Sequence, residues 1–209
     1  MILRNLTLDN VLPLYDIEAL LKLVMEKAEV SNIVDLGNFL DLKTFKEIEL
    51  FQVLVKSEKI FIDISDKVLQ NIENKLNIKI KKFPVMGLRI VNGKEQTLAP
   101  WHQDEGTWSH HEELSNQKPL TCWIPIIANN ENTLQVCLDD LPLKKHSRND
   151  LMQSIANFDN EEIKNNVIIF PIIGSGYLFS SYQPHRSYNI CEANEVRISI
   201  DFRFTILNK

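Results

Sequence analysis

The sequence predicts a mainly β domain of jelly-roll type with helices packed on it from the N-terminal end. Two patterns predict this. Apolar residues recur at helical spacing in the first third, and from about residue 78 the chain is a series of short β-prone runs cut by turn residues. Size agrees: 209 residues, 44% hydrophobic and 24% charged, are enough to bury a core without disulfide staples.

Three helices account for the first third. Residues 8–30 carry Leu14, Ile17, Leu20, Leu21, Leu23 and Val24 on one broad face after Pro13, whose fixed φ suits a first helical turn. Residues 40–55 carry Phe45, Ile48, Phe51, Leu54 and Val55, and residues 63–76 carry Ile64, Val68, Leu69, Ile72 and Leu76. No chemical constellation lies on them, so they read as a cover. Strands are predicted near 85–91, 120–126, 133–137, 167–172, 176–181, 187–190 and 195–206. Gly93, Asn129-Asn130, Gly174-Ser175-Gly176 and Ala193-Asn194 punctuate them. Many short strands with polar turns point to a sandwich or barrel. Residues 138–166, which include DDLPLKKHSRND, are weakly patterned and read as a long loop with a short helix, a candidate lid.

Composition removes several function classes. A net charge of −5 argues against a nucleic-acid groove, which is usually basic. No apolar run approaches the ~20 residues of a membrane span, and MILRNLTLDN lacks the basic-then-apolar order of a secretory signal. Cys122, Cys137 and Cys191 are odd in number and form no CxxC pair, which fits reduced, buried thiols and a cytoplasmic location.

The chemistry concentrates in WHQD, residues 101–104. On an extended segment, residues i and i+2 point to one side, so His102 and Asp104 can converge on one metal ion. One histidine from a distant strand completes a two-histidine, one-carboxylate set, which holds ferrous iron on one face and leaves positions open for substrates and oxygen. His-x-Asp alone is a weak signal. The C-terminal stretch GYLFSSYQPHRSYNICEANEVRISIDFRF supplies the third candidate, His185, after an apolar strand. The last strand alternates: Arg197, Ser199, Asp201 and Arg203 on one face, Ile198, Ile200, Phe202 and Phe204 on the other. That polar face suits either water or a barrel mouth, where a guanidinium and a hydroxyl clamp a carboxylate.

Three stretches together resemble the phytanoyl-CoA dioxygenase family of iron(II)- and 2-oxoglutarate-dependent oxygenases. They are WHQD, LTCWIPI followed by ENTLQV, and the C-terminal stretch just quoted; together they span about residues 85–205. The resemblance implies a double-stranded β-helix, cupin-like jelly roll, with residues 1–80 as helical cover and 81–209 as core in one domain. It implies Fe(II) held by His102, Asp104 and His185, and 2-oxoglutarate as cosubstrate. Arg197 would pair with the distal carboxylate of 2-oxoglutarate, helped by Ser199, beside Trp123 and Thr121. Gln103 would contact metal-bound water or a substrate carboxylate, and Ser187 and Asn189 would support the strand end. A carboxylate at position 104, where related halogenases have a small residue, implies hydroxylation. Partners would be O2 and a small-molecule substrate, such as a polar metabolite or a sugar-type intermediate, with no nucleic acid and no membrane. Where the family often has Gly-Ser-His, this chain has CLDDLPLKKHS, which implies a different substrate entrance.

Other residues carry weaker signals. Arg89, flanked by Leu88 and Ile90, would face a barrel interior and contact an anionic substrate. His110, in the His110-His111-Glu112-Glu113 run, would rim the site and touch substrate, and Trp101 and Trp108 would pack or rim the entrance. His146, within KKHSR, reads as solvated surface or as a phosphate contact. Two other readings stay open: a cupin-type metalloenzyme that does not use 2-oxoglutarate, and a non-catalytic jelly-roll binding module.

Overall fold

Four helices precede the long β region in a computed structural model, which describes residues 5–92, 98–104, 119–148, 154–190 and 195–207. The helices are α1 (Leu14–Ala28), α2 (Ile33–Asp41), α3 (Phe45–Lys56) and α4 (Lys59–Leu76). The expected helix over 40–55 is two elements. Asn32 caps α2 by accepting from the Asp35 amide, and Thr44 opens α3 with a reciprocal capping box to Glu47. These side chains take up backbone donors that apolar spacing does not reveal.

Strands β1 (Leu6–Leu8), β2 (Ile80–Val91), β3 (Leu120–Ile127), β8 (Gly176–Ser180) and β10 (Arg197–Ile206) form a five-stranded antiparallel sheet in the order β1-β8-β3-β10-β2. A second antiparallel sheet has the order β7-β4-β9, from β4 (Asn132–Cys137), β7 (Asn166–Ile168) and β9 (His185–Asn189). This is the jelly-roll architecture expected. Three expectations need correction. Strand β1 lies in the stretch assigned to the helical cover and pairs with β8. The strand expected over 167–172 ends at Ile168, before Pro171, and Phe170, Ile172 and Ile173 are exposed. Within 138–166, the expected loop contains a hairpin of β5 (His146–Arg148) and β6 (Ser154–Ala156).

The main core lies between the helices and the outer face of the large sheet. Leu20, Val24, Leu40, Val55, Phe61, Ile64, Val68 and Ile72 meet Leu88, Ile90, Ile124, Leu178, Ile198, Ile200, Phe202 and Phe204 there. This settles the orientation of β10. Its apolar alternates face the helices, so Arg197, Ser199, Asp201, Arg203 and Thr205 face inward and are buried instead of lying in water. A smaller apolar cluster, Trp123, Leu134, Val136, Ile169 and Phe179, lines the space between the two sheets. Asp201 has room because its neighbour across the pair is Gly87, where a Cβ would sit 2.0 Å from Asp201 Oδ1. Cys122 and Cys137 are free thiols; both are buried, as expected. Among the described residues, no helix is long and apolar enough to cross a membrane.

Candidate metal centre

The WHQD segment is fixed to the strand that bears the distal histidine by backbone pairing. His102 N donates to His185 O at 3.0 Å, and His185 N donates to His102 O at 2.9 Å. Their rings stack obliquely with centroids 4.2 Å apart. The pairing continues upstream, where Ser187 N donates to Ala99 O and Ala99 N to Ser187 Oγ. His185 follows the apolar strand β8, as expected, and opens β9.

Each imidazole is oriented by a main-chain carbonyl. His102 Nδ1 lies 2.8 Å from Pro100 O, and His185 Nδ1 lies 3.1 Å from Gln183 O. Donation from Nδ1 leaves each Nε2 lone pair facing the carboxylate. Asp104 Oδ1 is 4.0 Å from His102 Nε2 and 3.7 Å from His185 Nε2. One ligand atom from each of the three residues lies within 4.8 Å of the others, and all three residues are buried. Burial pushes the His102 imidazole down to about 3, helped by the nearby His185 ring, and burial lowers His185 as well. Both are therefore neutral donors at physiological pH. Burial alone would raise the Asp104 carboxyl, but Arg203, His185 and His102 outweigh it and hold the carboxyl well below the usual range.

Asp104 is held at both oxygens. Thr121 Oγ1 donates to Oδ2 at 2.6 Å, and Arg203 Nη2 donates to Oδ1 at 2.6 Å. Thr121 thus supports the ligand carboxylate, where a contact with cosubstrate was expected. Arg203 also pairs with Asp201 at 2.9 Å. Sequence reasoning assigned no role to Arg203 or Asp201, although both stand in the alternating RISIDFRF strand; the signal was a charge triplet on one face.

Gln103 departs from expectation. Its amide NH2 donates to Leu141 O, Pro142 O and Tyr182 O, and its carbonyl accepts from Lys144 N. The side chain is fully buried and committed to main-chain groups, because i+1 on an extended segment points away from the ligands. His146 joins the same assembly: its Nε2 accepts from Gln103 N at 3.0 Å and its Nδ1 lies 2.9 Å from Lys144 O. It is neither plain solvated surface nor a free phosphate contact. With Ala156 N donating to Trp101 O, these bonds pin the described part of the β5–β6 pair to the ligand segment, where it forms a wall beside it. Arg186 lies over the Trp101 ring and donates to Gln135.

The inward face of β10 carries the expected clamp residues. Arg197 is buried; Nη1 donates to Thr133 O and Nη2 to Ser187 Oγ at 2.8 Å, which ties the two sheets together. Its Nε and the fully buried Ser199 hydroxyl have no hydrogen-bond partner among the described residues. No carboxylate among the described residues pairs with this guanidinium, and burial, with the charge of Arg89, pulls it down to about 10. A buried cation in this state calls for an anion, and a dicarboxylate fits the donor set. Trp123 lies on the inward face beside Asp201 in the pairing, and Phe179 meets the His185 ring edge-on at 4.7 Å. Arg89 is on the inward face of β2 opposite Ser199, half-exposed, with Nε 4.0 Å from Asp201 Oδ1. His110, His111, Trp108 and Cys191 lie outside the described residues.

No family model matches the sequence, and no curated protein matches it. Solved structures do match the fold. EvdO2 from Micromonospora carbonacea var. aurantiaca, solved with 2-oxoglutarate, aligns at 13% identity and TM-score 0.51 over 76% of this chain and 64% of its own. The epimerase SnoN, solved with Fe3+, alpha-ketoglutarate and nogalamycin RO, aligns at 10% identity and TM-score 0.57 over 96% and 78%. ThoJ, a non-heme monooxygenase, aligns at 14% identity and TM-score 0.50 over 70% and 55%. The chain spans less than two thirds of the length of EvdO2 and ThoJ. At these identities the likeness concerns the fold.

Proposed function

We propose that this chain is an iron(II)- and 2-oxoglutarate-dependent oxygenase that hydroxylates a small polar metabolite or a sugar-type natural-product intermediate. One observation carries the reading. Two neutral imidazoles and one ionised carboxylate, all buried, converge within 4.8 Å, and the inward face of β10 carries a buried guanidinium, Arg197, that pairs with no carboxylate among the described residues. The three ligands suit ferrous iron, and Arg197 with Ser199 suits the distal carboxylate of 2-oxoglutarate. A metalloenzyme without that cosubstrate would leave Arg197 uncompensated. EvdO2 and SnoN, which share the fold, were solved with 2-oxoglutarate and alpha-ketoglutarate.

When bound, iron and 2-oxoglutarate together supply O2 activation with release of succinate and carbon dioxide, and one oxygen atom goes to a carbon–hydrogen bond. The chain's own residues do the rest. Pro100 O and Gln183 O hold the two Nδ1 protons, so Nε2 is the donor atom of each imidazole. Thr121 and Arg203 fix the plane of the Asp104 carboxylate. Arg197 orients the cosubstrate, and the Trp123, Leu134, Val136 and Phe179 side chains exclude water from the space beside the ligands. A carboxylate at 104 favours oxygen transfer over halide transfer.

The test is anaerobic titration of purified protein with Fe(II) and then 2-oxoglutarate, followed by a metabolite screen scored by succinate release. Stoichiometric Fe(II) binding, a visible charge-transfer band and substrate-stimulated succinate are expected. Protein that binds no Fe(II) at stoichiometric levels overturns the assignment.

A further inference from the structure

The charges facing the inner side of β10 and β2 do not balance, and the imbalance is localised. Arg203 has two carboxylate partners, Asp104 and Asp201. Arg197 has none among the described residues, and the distal carboxylate of 2-oxoglutarate would complete it. Arg89 is left over. Its one ion-pair contact among the described residues is Asp201 at 4.0 Å, and that carboxylate already lies 2.9 Å from Arg203. The Arg89 side chain is 48% exposed on the edge strand of the large sheet, with its backbone opposite the Ser199 hydroxyl position. A fourth cation comes round that edge. Lys56 ends α3, which packs against β2; it is half-buried and forms no ion pair among the described residues. Burial lowers the Lys56 ammonium, and Arg89 lowers it further, so the two cations share one field. Bound Fe(II) and the 2-oxoglutarate dianion cancel in charge. Among the described residues, the four cations then face three carboxylates, Asp104, Asp201 and Glu49, the last acting on Lys56, which leaves a surplus of one positive charge beside the edge strand.

We infer that the edge of the barrel at β2 binds an oxyanion of the substrate, a carboxylate or a phosphate, with Arg89 as its contact and Lys56 as a second cation. This inference rests on the oxygenase reading for its substrate and deepens it: the enzyme acts on an anionic small molecule, and Arg89 selects it. The planar guanidinium provides paired donors for such a group, and its partial exposure lets the group arrive without displacing a protein carboxylate. Asp201 holds the Arg89 side chain toward the interior without satisfying it.

The experiment uses the full chain loaded with Mn(II) and saturating 2-oxoglutarate, titrated by calorimetry with benzoate, phenyl phosphate and neutral benzamide. At least one anion is expected to bind saturably while benzamide does not, and comparison of the two anions separates carboxylate from phosphate. Arg89→Gln should weaken the anion about tenfold or more while 2-oxoglutarate affinity stays within about twofold; Lys56→Gln should weaken it less. Anions that bind no better than benzamide overturn the inference, as does an Arg89→Gln protein that binds them like wild type. Loss of 2-oxoglutarate affinity in Arg89→Gln also overturns it, by moving Arg89 into the cosubstrate clamp. Failure of wild type to take up Mn(II) or 2-oxoglutarate counts instead against the oxygenase reading. The same anion titrations on metal-free wild type and Arg89→Gln then decide the anion site separately.

Discussion

Arg203 Nη2 lies 2.6 Å from Asp104 Oδ1, the same carboxylate oxygen that faces the Nε2 atoms of His102 and His185. The guanidinium therefore supplies positive charge directly to the ligand carboxylate. Burial opposes the charge on Arg203, yet Asp104 and Asp201 more than compensate and raise it above its ordinary value. In metal-free protein this contact is what makes an ionised carboxylate tolerable in a buried site.

Arg203→Met should therefore destabilise metal-free protein by about 3–5 kcal/mol, because two buried carboxylates lose their cation. Saturating Mn(II) should restore more stability to the variant than it adds to wild type, since the metal replaces the missing charge at Asp104. Urea denaturation with and without Mn(II) measures both. Equal metal-induced stabilisation in the two proteins would show that Arg203 does not balance this carboxylate.

Arg197→Met should leave Mn(II) affinity unchanged and weaken 2-oxoglutarate binding roughly tenfold to a hundredfold, the value of charge-assisted contacts of about 1.5–3 kcal/mol. Equilibrium dialysis with labelled cosubstrate gives the number. Wild-type affinity in the variant would remove Arg197 from the clamp.

Gln103→Leu tests a structural role. The variant leaves three carbonyls and one amide N–H without the Gln103 side chain, a loss of about 2–4 kcal/mol in stability. Limited proteolysis should cut first near residues 141–148, which lose their anchor. The folded variant should still bind Mn(II), because the ligand side chains point the other way. Unchanged stability with lost metal would reverse this assignment.

Stability of the metal-free protein should fall as pH falls from about 6.5 toward 3. The unfolded chain protonates its imidazoles near the ordinary 6.5, whereas burial holds His102 neutral down to about 3 and lowers His185 too. The unfolded state thus binds more protons in this window, and stability drops by up to about 1.4 kcal/mol per pH unit for each ring. Asp104, also lowered, adds a loss in the same direction below its ordinary 3.8. Urea midpoints at pH 7.5 and 5.5 report the effect. His102→Gln and His185→Gln should flatten it, and an unaltered slope in those variants would assign the pH dependence elsewhere.

Much of the site was legible in the chain. His102 and Asp104 needed only a two-residue period to share a side, and the C-terminal strand announced two different faces by alternation. Helix spacing located the cover but not its breaks, because the caps at Asn32 and Thr44 depend on side-chain hydrogen bonds and not on apolar period. The paired strands β5 and β6 were invisible, since three-residue strands carry too short a pattern to register.

The sequence by itself determined the residue types, their local periods and therefore which side chains can act together along one strand. Tertiary structure decided which way each strand turned. Alternation states that Arg197, Ser199, Asp201 and Arg203 share a face; only the packing of Ile198, Ile200, Phe202 and Phe204 against the helices directs that face inward. It likewise decided that Thr121 serves Asp104, that Gln103 anchors a distant wall, and that Arg89 keeps a charge to spare. The physical reason is that these contacts join residues remote in the chain. Their energies depend on burial and on three-dimensional neighbours, which a local period does not encode.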